Sequence, residues 1–198
     1  MNTVIHNINK TLKRLRVAIN LDVLATVSLR RKSQLDGWAS VYVYPKNRVK
    51  VSGEAKIHVA NGLLTFAKPW FEVKPSGVCS IDMEGEARLE CQGNFDFVRG
   101  SHCKINDGAV LRLGNNSRVG AGSSIECNNE IVIGNDCWIS DDVVIADAGR
   151  VVIEDGVWIG NGAKITGNVR IGKRAVIGEG MSVTKDVVAG KVMSEYNA

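Results

Sequence analysis

Histidine is scarce in this chain, with three among 198 residues, and none lies beyond His102. A metal site built from several imidazoles is therefore excluded from the C-terminal half. No stretch of eighteen apolar residues occurs, so no membrane-spanning helix is expected. No glycine-rich phosphate loop or α/β pattern precedes residue 83, which argues against a nucleotidyltransferase. The five cysteines are odd in number, form no CxxC pair and follow no secretory leader. They are expected to be reduced, buried thiols of a cytoplasmic protein, with Cys137 in a small inward position. Phenylalanine is also sparse, at four residues, against twenty-one glycines and many Val and Ile. That balance suits a β-structure with many tight corners.

What the chain does have is a hexad. Ile133, Ile139, Ile145, Ile153, Ile159, Ile165, Ile171, Ile177 and Val183 fall on one register, with all but one step six residues long. Such a period fits neither a lone helix nor a hairpin meander. Each turn of a solenoid must bury its apolar side against its neighbours, and a short fixed repeat is the sequence mark of that arrangement. The expected fold is all-β, a parallel β-helix shaped as a three-sided prism. Extended backwards through Ile125, Val119, Leu113 and Ile105, the steps read eight, six, six, three times over. Coils of twenty residues then narrow to eighteen after Ile153, with the extra pair of residues widening one corner. Before Ile105 the register blurs: Met83, Cys91 and Phe97 fit it, whereas Arg99 stands where an aliphatic residue is expected.

The organisation that follows is an arm over 1–35, an irregular lead-in over 36–82, the β-helix over 83–192 and a tail over 193–198. The first 32 residues carry seven Lys or Arg and one acidic residue. Ile5, Ile8, Leu12, Leu15 and Ile19 recur at steps of three and four, with Lys10, Lys13, Arg14 and Arg16 between them, the pattern of an amphipathic helix with a basic face. Such a helix can lie on an anionic membrane surface, can cap the open end of the solenoid, or can pack on a neighbouring subunit. With no aromatics among the basic residues, no nucleic-acid partner is expected.

Trp138 and Trp158 each follow a register residue by five positions and lie one coil apart. They should stack in one outward column, roughly 5 Å apart along the axis, with Arg118 one coil earlier. A strip of two outward indoles reads as a subunit contact or as the wall of a substrate groove.

The segments IVIGNDCWISDDVVIADA (131–148), VVIEDGVWIGNGAKITGNVRIGKRAVIGEGMSVTKDV (151–187) and VAGKV (188–192) resemble the hexapeptide-repeat acyltransferases with a left-handed β-helix. That group includes maltose, galactoside and serine acetyltransferases and polysaccharide O-acetyltransferases. The resemblance implies a homotrimer that uses acetyl-CoA, without a metal, to acetylate a sugar or polysaccharide precursor. It also implies a donor groove between subunits. There Trp158, Gly160, Ala163, Gly178 and Gly180 would line the pantetheine arm, and Thr184 and Lys185 would sit near the nucleotide phosphates.

Two departures stand beside the resemblance. The family's histidine-bearing arm, which supplies the base for attack on the thioester, would emerge after Ile145, yet Ala146-Asp147-Ala148-Gly149-Arg150 pass straight into the next coil. His6, His58 and His102 all lie far earlier, so no catalytic residue is assigned, with Asp147 and Glu154 the nearest carboxylates. The proline-bearing link before the family's last VAG is absent as well. The alternative to an O-acetyltransferase is a catalytically silent scaffold or partner-binding solenoid. A zinc hydrolase on the same helix would need three groove histidines that this chain lacks. Such an enzyme or scaffold is expected in the cytoplasm, with peripheral contact at the inner membrane face through residues 1–32.

Overall fold

The computed structural model describes residues 21–69 and 77–195. The stripe from Ile5 to Ile19 and His6 lie outside them. Every strand pairing is parallel, as the hexad requires, because each coil repeats the direction of the one before. Outward and inward residues alternate along the strands, so the apolar positions meet on the axis. The architecture is a parallel β-solenoid with, among the described residues, one short helix near the N-terminus, consistent with the left-handed β-helix expected from the sequence.

Three faces make the prism. One is an eight-stranded sheet running from Ser40–Val43 up to Val192–Met193 and including Trp138–Ile139 and Trp158–Ile159. The other two are continuous with each other, because the strands Val144–Ile153 and Lys164–Ile171 run round the corner between them. Below that join, Val144 to Ala146 pair with Ser124 to Glu126 on one face, and Arg150 to Ile153 pair with Glu130 to Ile133 on the other.

This corner sets the taper of the whole prism. Val49 to Val59, Ile81 to Cys91 and Cys103 to Leu113 are each ten residues apart across it. The same inward columns continue as Ile125 to Ile133 and Ile145 to Ile153, eight apart, then Ile165 to Ile171, six, and Val183 to Val187, four. At the step from eight to six the ladder is offset between Asp147 and Val151, where the longer coil carries two residues with no partner above.

The widened corner is thus where the repeat places it, but one coil is longer than the repeat suggests. Cys103, not Ile105, lies under Ile125, and Ile105 lies under Cys127, which makes that coil twenty-two residues. Both columns face inward, so the sequence pattern cannot separate them. Coils also begin earlier than the hexad reveals: Ser33–Asp36, Ser40–Val43 and Asn47–Val51 already form the three faces. Their successors are offset by 24 and then 32 residues (Ser33 to Ile57, Ile57 to Leu89), which hides the period. The wide early coils are filled by bulk rather than by isoleucine. Phe66, Phe95 and Phe97 are fully buried and pack with ring centroids 5.1 Å apart, beside Met83 and Leu89.

The open N-terminal end is closed by helix α1 (Val23–Arg31). Asp22 caps it by accepting the Ala25 N–H at 3.0 Å and an Asn47 side-chain N–H at 3.0 Å, and these two bonds hold its carboxyl below the usual range. Thr26 and Leu29, one turn apart, point down onto the first coil. The Thr26 hydroxyl accepts the Val43 N–H at 3.0 Å and donates to the Val43 carbonyl at 3.2 Å, so the last backbone groups of an edge strand are covered.

All five cysteines are free and buried on the axis. Burial pushes their thiols up from an ordinary 9.0, to about 11 at Cys91 and about 12 at Cys127, and upward at Cys79, Cys103 and Cys137. The native protein should therefore not react with Ellman's reagent at pH 8, and all five should react in denaturant. A raised folded pKa contributes stability in full below the unfolded value, so unfolding free energy should hold through neutral pH and decline above about pH 9 as unfolded thiols ionise. Rapid native labelling at pH 8 would contradict this packing.

Candidate functional site

The C-terminal coils bring most of the sequence-derived site residues onto one edge. Trp138 pairs with Trp158 in register, and that column continues upward through Val176 to Val192. The two indoles are 45% and 50% exposed, and the Arg118 guanidinium lies 4.1 Å from the Trp138 ring, a cation–π contact at the lower end of the strip.

From Trp158 and Ile159 the chain turns the next corner through Gly160, Asn161 and Gly162, and one coil higher through Gly178, Glu179 and Gly180. A Cβ on Gly160 would stand 2.7 Å from the Glu179 nitrogen, and one on Gly178 would stand 2.8 Å from the Met193 oxygen. Both glycines are demanded by coil-on-coil approach. Their N–H groups are already donated to the coil above, Gly160 to Ile177 and Gly178 to Met193, while Gly180 donates to Asn161 below. Ala163 is fully buried with its methyl on the axis, and its carbonyl accepts the Val144 N–H at 2.9 Å. What this edge offers a ligand is therefore shape and the exposed Trp158 face rather than free donors. Thr184 and Lys185 are exposed on the last coil, beyond the strand Ser182–Val183, at the far side of the adjacent face. Trp158 and Lys185 thus bracket one face of the prism at its C-terminal end.

The carboxylates nearest the absent arm are both engaged. Asp147 is buried at the tapering corner, where its side chain accepts the N–H groups of Asn128 (2.6 Å), Asn129 (2.8 Å) and Glu130 (3.2 Å) from the coil below. Glu154 pairs with the Arg170 guanidinium and accepts the Lys173 N–H at 2.8 Å. Those partners, Arg170 first, hold its carboxyl below the ordinary carboxylate range, which makes it a weaker base. His58 is 2.5 Å from Asp36 on an early coil, and His102 Nδ1 is 2.8 Å from the Ser80 hydroxyl. His102 shares an outward column with Ser124, Val144 and Lys164, three coils below the last of these, which is about 14 Å along the axis. No cluster of three or more metal-ligating side chains occurs among the described residues.

One polar feature escaped the sequence pattern. The N–H of Asn94 donates to the Asn115 side chain, Asn115 to Asn135, and Asn135 to Asp155, each at 2.8 to 2.9 Å, forming a ladder up one corner. The same period of about twenty that marks the core marks these residues, but an Asn at a corner does not itself announce what it accepts. A further unforeseen grouping is the shallow groove on the His102 face, lined by Ser80, His102, Lys104, Ser124 and Glu126.

The hexad repeat and the parallel stacking define a β-solenoid, and its C-terminal coils are the part that resembles known proteins. Residues 150–180 match the bacterial transferase hexapeptide family (six repeats). A stretch of 38 residues is 53% identical to a galactoside O-acetyltransferase of Lactococcus lactis, covering 19% of this chain and 18% of that relative. Solved structures with a similar course include the polySia-specific acetyltransferase NeuO, at 22% identity and TM-score 0.43 over 80% of this chain and 81% of that one. Another is the D94N mutant of AntD, an N-acyltransferase from Bacillus cereus in complex with dTDP and Coenzyme A, at 14% identity and TM-score 0.43 over 83% and 82% of the two chains. The repeat match and the galactoside O-acetyltransferase match support a hexapeptide-repeat acyltransferase family for this chain.

Asp147 acts as a corner clasp. Asp147→Ala leaves three backbone N–H groups without their acceptor and should lower unfolding free energy by about 2–4 kcal/mol in a denaturant titration. An unchanged midpoint would free Asp147 for a chemical role.

Proposed function

We propose that this protein is an acyl-CoA-dependent O-acetyltransferase of a sugar or polysaccharide precursor, working as a homotrimer. The observation that carries the reading is the match of residues 150–180 to the bacterial transferase hexapeptide, the segment that holds Trp158, Gly160, Ala163, Gly178 and Gly180. Galactoside O-acetylation by the matched relative supports a saccharide hydroxyl as acceptor. In the proposed complex the pantetheine arm of acetyl-CoA runs along the edge from Trp158 past Gly178 and Gly180. Lys185 meets a phosphate as a mobile, exposed cation. The acceptor hydroxyl attacks the thioester carbonyl directly, its proton passes to a base, and free CoA leaves as the thiol. The edge supplies apolar contact and closely packed backbone, which position the donor.

A second reading is favoured by a specific observation. Asp147 and Glu154 are both held in structural bonds, and His102 lies three coils below the donor edge. On that reading the chain keeps the hexapeptide scaffold and performs no transfer.

The two readings separate by calorimetric titration with acetyl-CoA against free CoA, followed by transfer of labelled acetyl to galactosides. Saturable micromolar binding with transfer is the expected result. Binding without transfer supports the silent relative, and no heat at high concentration overturns the donor site altogether.

The tryptophan strip is the proposed contact between copies, because two half-exposed indoles on adjacent coils form a continuous apolar ridge. Trp138→Ala together with Trp158→Ala should move the protein from trimer toward monomer in sedimentation velocity. A trimer that survives both changes removes the strip from the interface.

A further inference from the structure

Helix α1 has two apolar sides, and the solenoid uses one of them. Thr26 and Leu29 are buried against the first coil. At 100° per residue, Val23, Leu24 and Val27 lie on the opposite side, with Arg31 among them and Arg30 at their margin. These three side chains are 61%, 85% and 44% exposed, a concentration of bare aliphatic surface at the N-terminal end of the prism. Trp38, in the turn that ends the first strand of the same coil, is exposed as well. Neither Arg30 nor Arg31 forms a salt bridge among the described residues.

Positive charge also gathers at this end. Residues 21–56, which form α1 and the first coil, hold seven Lys or Arg and three Asp or Glu. Residues 77–195, the coils above, hold twelve and seventeen. The acidic groups at the lower end are Asp22, which caps α1, Asp36, which faces His58, and the exposed Glu54. The end that carries the bare apolar helix face is therefore net positive, and the acidic excess lies in the middle coils: residues 77–156 hold six Lys or Arg and fourteen Asp or Glu, and residues 157–195 hold six and three. An anionic surface attracts the basic N-terminal end and repels the acidic coils directly above it.

We propose that the N-terminal end of the prism is a docking surface for an anionic lipid bilayer. Val23, Leu24 and Val27 enter the boundary between headgroups and acyl chains, and Arg30, Arg31 and Lys32 lie at headgroup level. Apolar aliphatics fringed by arginine fit a lipid interface, which offers both an acyl phase and fixed negative charge. The basic residues Lys10, Lys13, Arg14 and Arg16 precede this helix in the chain with no acidic residue among the first twenty, so the charge bias continues into that segment. Docked this way, the solenoid stands with its C-terminal coils facing away from the bilayer. The inference goes beyond the acetyltransferase reading and does not depend on it.

The test is co-sedimentation of the full chain with vesicles of phosphatidylcholine alone and of phosphatidylcholine with phosphatidylserine. Binding is expected to the second and to weaken steeply as salt is raised. The triple variant Val23→Ser, Leu24→Ser, Val27→Ser keeps Thr26 and Leu29 in place, so its thermal unfolding should match the wild type while its partition to the anionic vesicles falls at least about tenfold. Arg30→Glu with Arg31→Glu should remove the preference for phosphatidylserine. The proposal is overturned if the wild type ignores both vesicles, or if the triple variant binds as well as the wild type, which would leave residues 1–20 as the sole anchor. It is equally overturned if the triple substitution abolishes self-association in sedimentation without altering lipid binding, which would make the face a contact between copies.

Discussion

In-register stacking of parallel coils is the constraint on which the rest depends. No coil has a core of its own: Ile139 is buried because Val119 lies below it and Ile159 above. The backbone is bound by the same rule, since each face donates its N–H groups to the next coil and must end where the coils end. Each end therefore poses its own problem. At the lower end α1 solves it with the Thr26 hydroxyl and the Leu29 side chain, and at the upper end Val188 and Val192 remain exposed. Corners are held by carboxylates and carboxamides that reach across to the neighbouring coil, as Asp147 and the Asn94 to Asp155 ladder do.

The taper follows from the same constraint. When one corner shortens from ten residues to eight, six and four, the enclosed section shrinks, and the side chains that fill it shrink with it. Three phenylalanines fill the wide coils, and Ile159, Ile177 and Ala175 fill the narrow ones. A catalytic arm inserted at that corner would emerge between Ile145 and Ile153, where this chain instead uses Asp147 to clasp the coil below. The direct passage of the chain round this corner and the engagement of Asp147 go together, and a buried carboxylate that accepts three N–H groups is not free to meet a substrate hydroxyl. On the proposed function, donor positioning and acceptor activation are separable: the edge at Trp158, Gly160 and Gly178 is closely packed with Trp158 exposed, while Asp147 and Glu154 are held in structural bonds.

How much of this was legible in the sequence depends on how uniform the coils are. From Ile125 onward the inward residues are nearly all Ile or Val at steps of six or eight, and the pairing follows them. Earlier, Cys103 and Ile105 are both inward, and nothing in their identity says which lies under Ile125. Offsets of 24 and 32 residues conceal the first coils, since a period that changes at each repeat leaves no periodic signal. Trp138 and Trp158 were placed correctly because outward positions alternate with inward ones along a strand. The glycines were not so transparent: spacing alone does not reveal that Gly160 and Gly178 have already committed their N–H groups to neighbouring coils. The two-sided character of α1 was hidden for a similar reason, because Leu24 and Leu29 are the same residue type and burial alone distinguishes them.

The most direct measurement of the central proposal, an acyl-donor edge on the narrowed C-terminal coils, is hydrogen–deuterium exchange with and without acetyl-CoA. The account predicts slowed exchange confined to the coils that carry Trp158 through Lys185, with the corner around Asp147 unchanged. Protection elsewhere on the prism, or none at saturating acetyl-CoA, would contradict it.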